Sequence, residues 1–238
     1  MQAFPDAAAL RGSRYVAQRT LSREHLTILL ASKYPPQRFE RCTFDGTDLS
    51  GLNFHGAHFV DCMFAETSLE KSVLAGTHWL ACKMRKANFH LANLTDARFS
   101  RCDLNSTGWV RAKLYSTLFT EVDLTGASFC GSNSLGLRFN ESLLAGANLR
   151  GIAFRKQILR HLDFSNADLA RCDFRETVFE GGSLRDASLK SVQFDGADLR
   201  SADLGGLAIA NLAQFFKGAI ISTKQADNLV RELGVRVV

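Results

Sequence analysis

The most reactive side chains in this 238-residue chain are six cysteines, four of which, Cys42, Cys62, Cys82 and Cys102, stand twenty residues apart. Repeated cysteines suggest a metal site or disulfides. Either would need sulfurs that converge, whereas a constant interval places them in a line. His58 and His78 share the same interval beside Arg38 and Arg98, and His25, His55, His90 and His161 are scattered, so no third ligand is evident. Asp103, Asp123, Asp163 and Asp203 are also separated by multiples of twenty. Carboxylates can work as acid–base pairs in a cleft, and in a row they form an acidic stripe. No G-x-S-x-G, phosphate-binding glycine loop or zinc-protease motif accompanies them. What these residues can do depends on the element that places them twenty apart.

That element has a period of five. From Phe39 to Ile209, every fifth residue is large and apolar except Ser134, with no insertion. Two residues before each centre lies a small side chain in most pentads, the slot of Cys42, Cys62, Cys82, Cys102 and Cys172. Two residues after it fall 12 of the 18 glycines, among them Gly46, Gly51, Gly56, Gly146 and Gly196, as a tight corner with positive φ requires. Helices repeat every 3.6 residues and strands every two, so neither explains five.

The units "ANLTD", "ADLAR" and "GADLRSADL" resemble the pentapeptide-repeat proteins over 37–211. The resemblance implies an all-β fold, a right-handed quadrilateral parallel β-helix in which four pentads make one square coil of twenty residues. Residues 37–211 then hold almost nine coils in a rod of roughly 40 Å, at one strand spacing per coil. Centres and small slots point inward. Phe39, Phe59, Trp79, Phe99, Phe119, Phe139, Leu159, Phe179 and Leu199 stack in one column and the four regular cysteines in another, which makes the latter buried reduced thiols. Cys130 falls in an outward slot and is the thiol most open to reagents. Around Ser134, in "GSNSLGL", a bulge or widened coil is expected, with Leu135 or Leu137 substituting for the missing centre.

Both ends of a β-helix need caps. Residues 1–36 form an extension with a capping helix in "TLSREHLTILLASKY": Ser22 is its N-cap and Leu26, Leu29 and Leu30 its apolar face. Pro35 and Pro36 precede the first pentad, and no proline follows. Residues 212–238 contain a second helix, opened by a Ser222–Gln225 capping box with Ala226, Leu229, Val230 and Leu233 on one face and Gly234 at its stop. Val235, Val237 and Val238 then suggest a short closing strand. Phe215, Phe216, Leu229, Val230 and Leu233 either cap the rod or join two copies as a homodimer, and a similar end occurs in relatives that protect DNA gyrase.

Net charge is +5, but residues 37–211 carry 20 basic and 20 acidic side chains, so the excess lies at the two ends. No direct nucleic-acid binding by a groove in the body is therefore expected. No apolar stretch is long enough to span a membrane, and free cysteines suit the cytoplasm. No cofactor is implied, and a solid rod is expected to be non-enzymatic. The resemblance implies a protein partner, DNA gyrase or topoisomerase IV, protected from an antibiotic as resistance or self-immunity, with Asp103, Asp123, Asp163 and Asp203 imitating DNA phosphates. Against this, the body is neutral, Lys83, Arg85, Lys86 and Arg185 lie beside the stripe, and an aspartate in that slot can simply bond local backbone. The alternative is a structural scaffold or a secreted effector, with a signal in residues 1–36, displaying a face unrelated to topoisomerase.

Overall fold

The computed structural model describes residues 15–206, 216–232 and 234–236. The pentad centres are buried and the chain turns a corner between them, so twenty residues close one four-sided coil. Short strands mark the first face: β1 (Tyr15–Ala17), β2 (Arg38–Glu40), β3 (His58–Val60), β4 (His78–Leu80), β5 (Arg98–Ser100), β6 (Leu118–Thr120), β7 (Arg138–Asn140), β8 (Ile158–Arg160) and β9 (Val178–Glu180). β1 to β7 pair in parallel in sequence order, Phe39 beside Phe59 and Phe59 beside Trp79, and β8 pairs with β9 in the same way. The other three faces are held by single parallel bridges, such as Thr43 to Met63, Asp48 to Ser68 and Asn53 to Val73. The rod is therefore an all-β parallel solenoid of about eight coils, with helices α1 (Arg23–Leu30) and α2 (Thr223–Glu232) at its ends.

Outside the coil at Ser134, centres donate their amides to the next coil, as Phe44 does to Met63 O at 2.8 Å and Leu69 to Asn88 O at 2.7 Å. The corner residue takes positive φ whether it is Gly46 (63°) or Lys86 (57°). A non-glycine residue there costs about 1–2 kcal/mol, which the ladder on both sides of the corner offsets.

The interior is a continuous aromatic stack. Phe39–Phe59, Phe59–Trp79, Trp79–Phe99, Phe99–Phe119 and Phe119–Phe139 centroids lie 5.1, 4.1, 5.5, 5.0 and 5.3 Å apart, all near parallel. A second stack, Phe89–Trp109–Phe129, meets the first edge-on. Both indoles carry a polar N–H that burial would orphan. The threonine two residues earlier solves this: Trp79 Nε1 donates to Thr77 Oγ1 and Trp109 Nε1 to Thr107 Oγ1, each at 2.8 Å.

At Ser134, of the two expected irregularities, the widened coil is found and the bulge is not, and of the two expected substitutes Leu137 enters the core. The pentad register runs through unchanged, Leu135 is 79% exposed, and Leu137 enters the core from the small slot. The ladder opens instead. The first-face sheet ends at β7 and a new one starts at β8, and no bridge joins Asn133 to Ala153 on the fourth face, although the second and third faces continue through Leu143 and Asn148. A serine centre and a leucine in the small slot displace apolar volume from the fourth face toward the first, so these coils separate along that one edge. Gln157 fills part of the gap, its Nε2 donating to Leu137 O at 3.2 Å.

The ends extend beyond the pentads. β1 lays Val16 over Phe39, and Thr20 bridges Thr43, so part of the N-terminal extension is itself a coil. α1 begins at Ser22, whose Oγ caps His25 N while His25 Nδ1 accepts from Ser22 N, and Leu26 and Leu29 are buried. At the other end the strand expected at Val235 is absent: Val235 is half exposed and not in a strand, and Val237 and Val238 lie outside the described residues. The closing strand comes before the helix, where Ile220 bridges Asp198 at a spacing of 22. Phe216 stacks on Phe194 at 4.9 Å. The apolar column thus continues past the loss of the five-residue period, leaving Val235 nothing to pair with.

Gln225 finishes the ladder. Its Oε1 accepts from Ser222 N at 2.7 Å, and its Nε2 donates to Leu199 O and Ala202 O, both at 2.8 Å. Gln225→Ala should lower unfolding free energy by about 1–3 kcal/mol, because the helix loses its cap, Ala202 O loses its donor and Leu199 O keeps only the amide of Ala202. A urea midpoint unchanged from the parent protein would refute this.

Candidate interaction surface

The regular cysteines form a buried column on the second face. Each thiol donates to the preceding coil: Cys62 to Phe39 O at 3.5 Å, Cys82 to Phe59 O at 3.5 Å, Cys102 to Trp79 O at 3.6 Å. Hydrogen bonding with Cys102 and Cys62 and then burial push the Cys82 thiol up, and burial pushes Cys172 up to about 12. These are core donors. Among the described residues no group of three or more His, Cys, Asp or Glu side chains could hold a metal ion, and no helix is long and apolar enough to cross a membrane. Cys130 is exposed. His58 and His78 stack at 4.6 Å on the first face, where burial and then His58 and Arg98 hold the His78 imidazole below its usual range.

Asp103, Asp123, Asp163 and Asp203 share one column of the second face, interrupted by Leu143 and Ser183. Each carboxylate accepts the amide two residues on: Asn105 N at 3.2 Å, Thr125 N at 2.9 Å, Ser165 N at 2.9 Å and Gly205 N at 3.0 Å. Asn88, Asn93 and Asn148 make the same turn on other faces. The slot therefore favours an oxygen acceptor without requiring one, as Lys83 and Leu143 in the same column show, and aspartate adds charge to it.

The charge survives at only part of the column. Arg85 approaches Asp103 at 3.8 Å, and Arg185 pairs with Asp203 at 2.9 Å. Asp123 and Asp163 have no ion-pair partner among the described residues, and Leu143 between them is 48% exposed. The second face also carries Asp45, Glu66 and Asp186 against Lys83, Arg85, Lys86 and Arg185. It is the one face of the four with more acidic than basic side chains over residues 37–206. Its middle is an acid–leucine–acid patch.

At the C-terminal end the expected contact residues separate. Phe216 and Leu229 are used within the chain, stacked on Phe194 and 4% exposed respectively. Val230 is 38% exposed on the outer side, near exposed Ile220 and Val235 in sequence. Phe215 and Leu233 lie outside the described residues, as does Ile209.

A solid square rod with small inward residues and repeated corners is the architecture of the pentapeptide-repeat proteins. Two family profiles match, pentapeptide repeat region over 32–109 and 77–149 and pentapeptide repeats (8 copies) over 138–175 and 167–206. The chain belongs to the pentapeptide-repeat family. Among solved structures it is similar to full-length QnrB1, a plasmid-mediated fluoroquinolone resistance protein, with 20% identity, a TM-score of 0.63 and 94% of this chain and 100% of that one covered. A trypsin-treated form of QnrB1 gives 19% identity, a TM-score of 0.59 and coverage of 95% and 100%. HetL, a pentapeptide repeat protein involved in heterocyst differentiation regulation from the cyanobacterium Nostoc, gives 19% and 0.41, covering 89% and 90%. At these identities the likeness is one of fold. No curated protein matches the sequence.

Proposed function

We propose that this rod binds a type II topoisomerase, DNA gyrase or topoisomerase IV, and protects it from a topoisomerase-directed antibiotic, with the second face standing in for part of a DNA backbone. The observation that carries the reading is the unneutralised pair Asp123 and Asp163 about the exposed Leu143. Two fixed carboxylates suit a cationic DNA-binding surface, and the leucine adds apolar contact. The fold of a fluoroquinolone resistance protein supports the choice of partner. The action is non-enzymatic and cytoplasmic.

Asp123→Asn with Asp163→Asn removes the charge and keeps the turn acceptor that asparagine supplies elsewhere. In gyrase supercoiling assays with a fluoroquinolone, the parent protein should restore supercoiling and the double variant should restore at least tenfold less at equal concentration. No restoration by the parent protein would sink the reading.

The ion pairs at Asp103 and Asp203 favour a second reading, a scaffold whose partner is unrelated to topoisomerase. A pull-down that recovers only topoisomerase subunits would count against it. We also propose a homodimer through the C-terminal end, with Val230 as its exposed contact. Val230→Asp should convert a dimer to a monomer by light scattering, and an unchanged mass would refute this contact.

A further inference from the structure

The opened edge between β7 and β8 has the chemistry of a second recognition site. It forms a groove of about 970 Å³ along the corner of the fourth and first faces. Arg138, Arg155, Lys156 and Arg160 line it, and no aspartate or glutamate does. Glu176 and Glu180, one coil on, pair with Arg155, Lys156 and Arg160, whereas Arg138 has no ion-pair partner among the described residues. Leu135 at 79% exposure and Ile158 at 49% make its apolar part.

The backbone contributes as well. Elsewhere each centre donates to the next coil, as Leu114 N does to Asn133 O and Phe154 N to Asp173 O. At the opening the amides of Ser134, Gly136, Ala153 and Ile158 make no such bond. A row of free amides beside unpaired Arg138, with three further cations that share only two glutamates, is a surface for an extended chain carrying carboxylates, which can accept from both. The exposed leucine and isoleucine require that chain to carry a large apolar side chain too.

We propose that this groove docks an extended acidic segment of a partner protein, with an apolar residue seated between Leu135 and Ile158 and its carboxylates on Arg138 and the neighbouring cations. The site lies on a different edge from the Asp123–Asp163 patch and does not depend on what that patch binds. A nucleic acid would share the charge complementarity but leave the two aliphatic side chains unsatisfied.

The test is selection of a random peptide library displayed on phage against the full chain, followed by anisotropy titration of the enriched peptides. Enriched sequences should carry net negative charge and a large apolar residue. They should bind at least tenfold more weakly to Leu135→Asp and to Arg138→Glu, with Lys190→Glu on the third face unchanged. Thermal melts of all three variants, which replace exposed side chains, establish that they are folded. Failure to enrich any sequence, enrichment of basic ones, or binding to the groove variants as tight as to the parent protein would overturn the proposal. So would tighter binding of an oligothymidine than of the peptides, or a dimer that Leu135→Asp makes monomeric, which would assign the groove to a nucleic acid or to a second copy.

Discussion

Phe99→Ala should lower the unfolding free energy by about 3–5 kcal/mol, the range for deleting a buried phenyl ring with incomplete collapse of the cavity. Phe99 is fully buried. It stacks between Trp79 at 5.5 Å and Phe119 at 5.0 Å, and it meets Phe89 and Trp109 edge-on at 6.3 and 5.6 Å. No neighbour can fill the space, because each is fixed by its own coil. Contacts in a solenoid run only between adjacent coils, so the damage should be local. Hydrogen exchange should rise in the coils around residues 79–119 and stay unchanged around 164–199. A loss under about 1 kcal/mol would mean that the column is loosely packed.

Gly182→Ala should be the most damaging of the glycine substitutions, costing about 3 kcal/mol or more. Gly182 sits in the small inward slot but has φ of 84°, and an added Cβ would run into the Leu162 carbonyl oxygen and lie 3.0 Å from its amide nitrogen. That ladder carbonyl accepts from Ser183 N, so it cannot move without breaking the coil. Gly146 is the contrast. Its φ is 64°, nothing lies within 4 Å of an added Cβ, and the same corner is built elsewhere by Lys86 or Glu66. Gly146→Ala should cost about 1 kcal/mol. Equal shifts in denaturant midpoint for the two variants would contradict this.

The rod was legible in the sequence because burial alone sets its period: Phe194, Leu199 and Leu204 fill successive sides, and twenty residues bring each side back to its column. The features that escaped follow from interactions without a periodic signature. β1 has one buried residue, Val16, too little to mark a strand. Val235, Val237 and Val238 suggest a closing strand by composition, whereas Ile220 pairs by continuing a column at a spacing of 22. Ser134 was legible as an irregularity with Leu137 as one of two substitutes, but which edge of the coil opens depends on where the Leu137 side chain places its volume, which the five-residue pattern does not reveal. In the acidic column, spacing placed the four aspartates on one face. Which of them keep their charge is set by the reach of Arg85 and Arg185 across the coil boundary, 18 residues on, a matter of side-chain geometry.

The central claim is that the middle of the second face occupies a DNA-binding surface on a type II topoisomerase. Its most direct test is binding of the purified chain to bacterial DNA gyrase in competition with a linear DNA duplex, measured for the parent protein and for Asp123→Asn with Asp163→Asn. Saturable binding that the duplex displaces, weakened at least tenfold in the double variant, is the expected result. Absence of binding, or binding indifferent to both the duplex and the two aspartates, would contradict it.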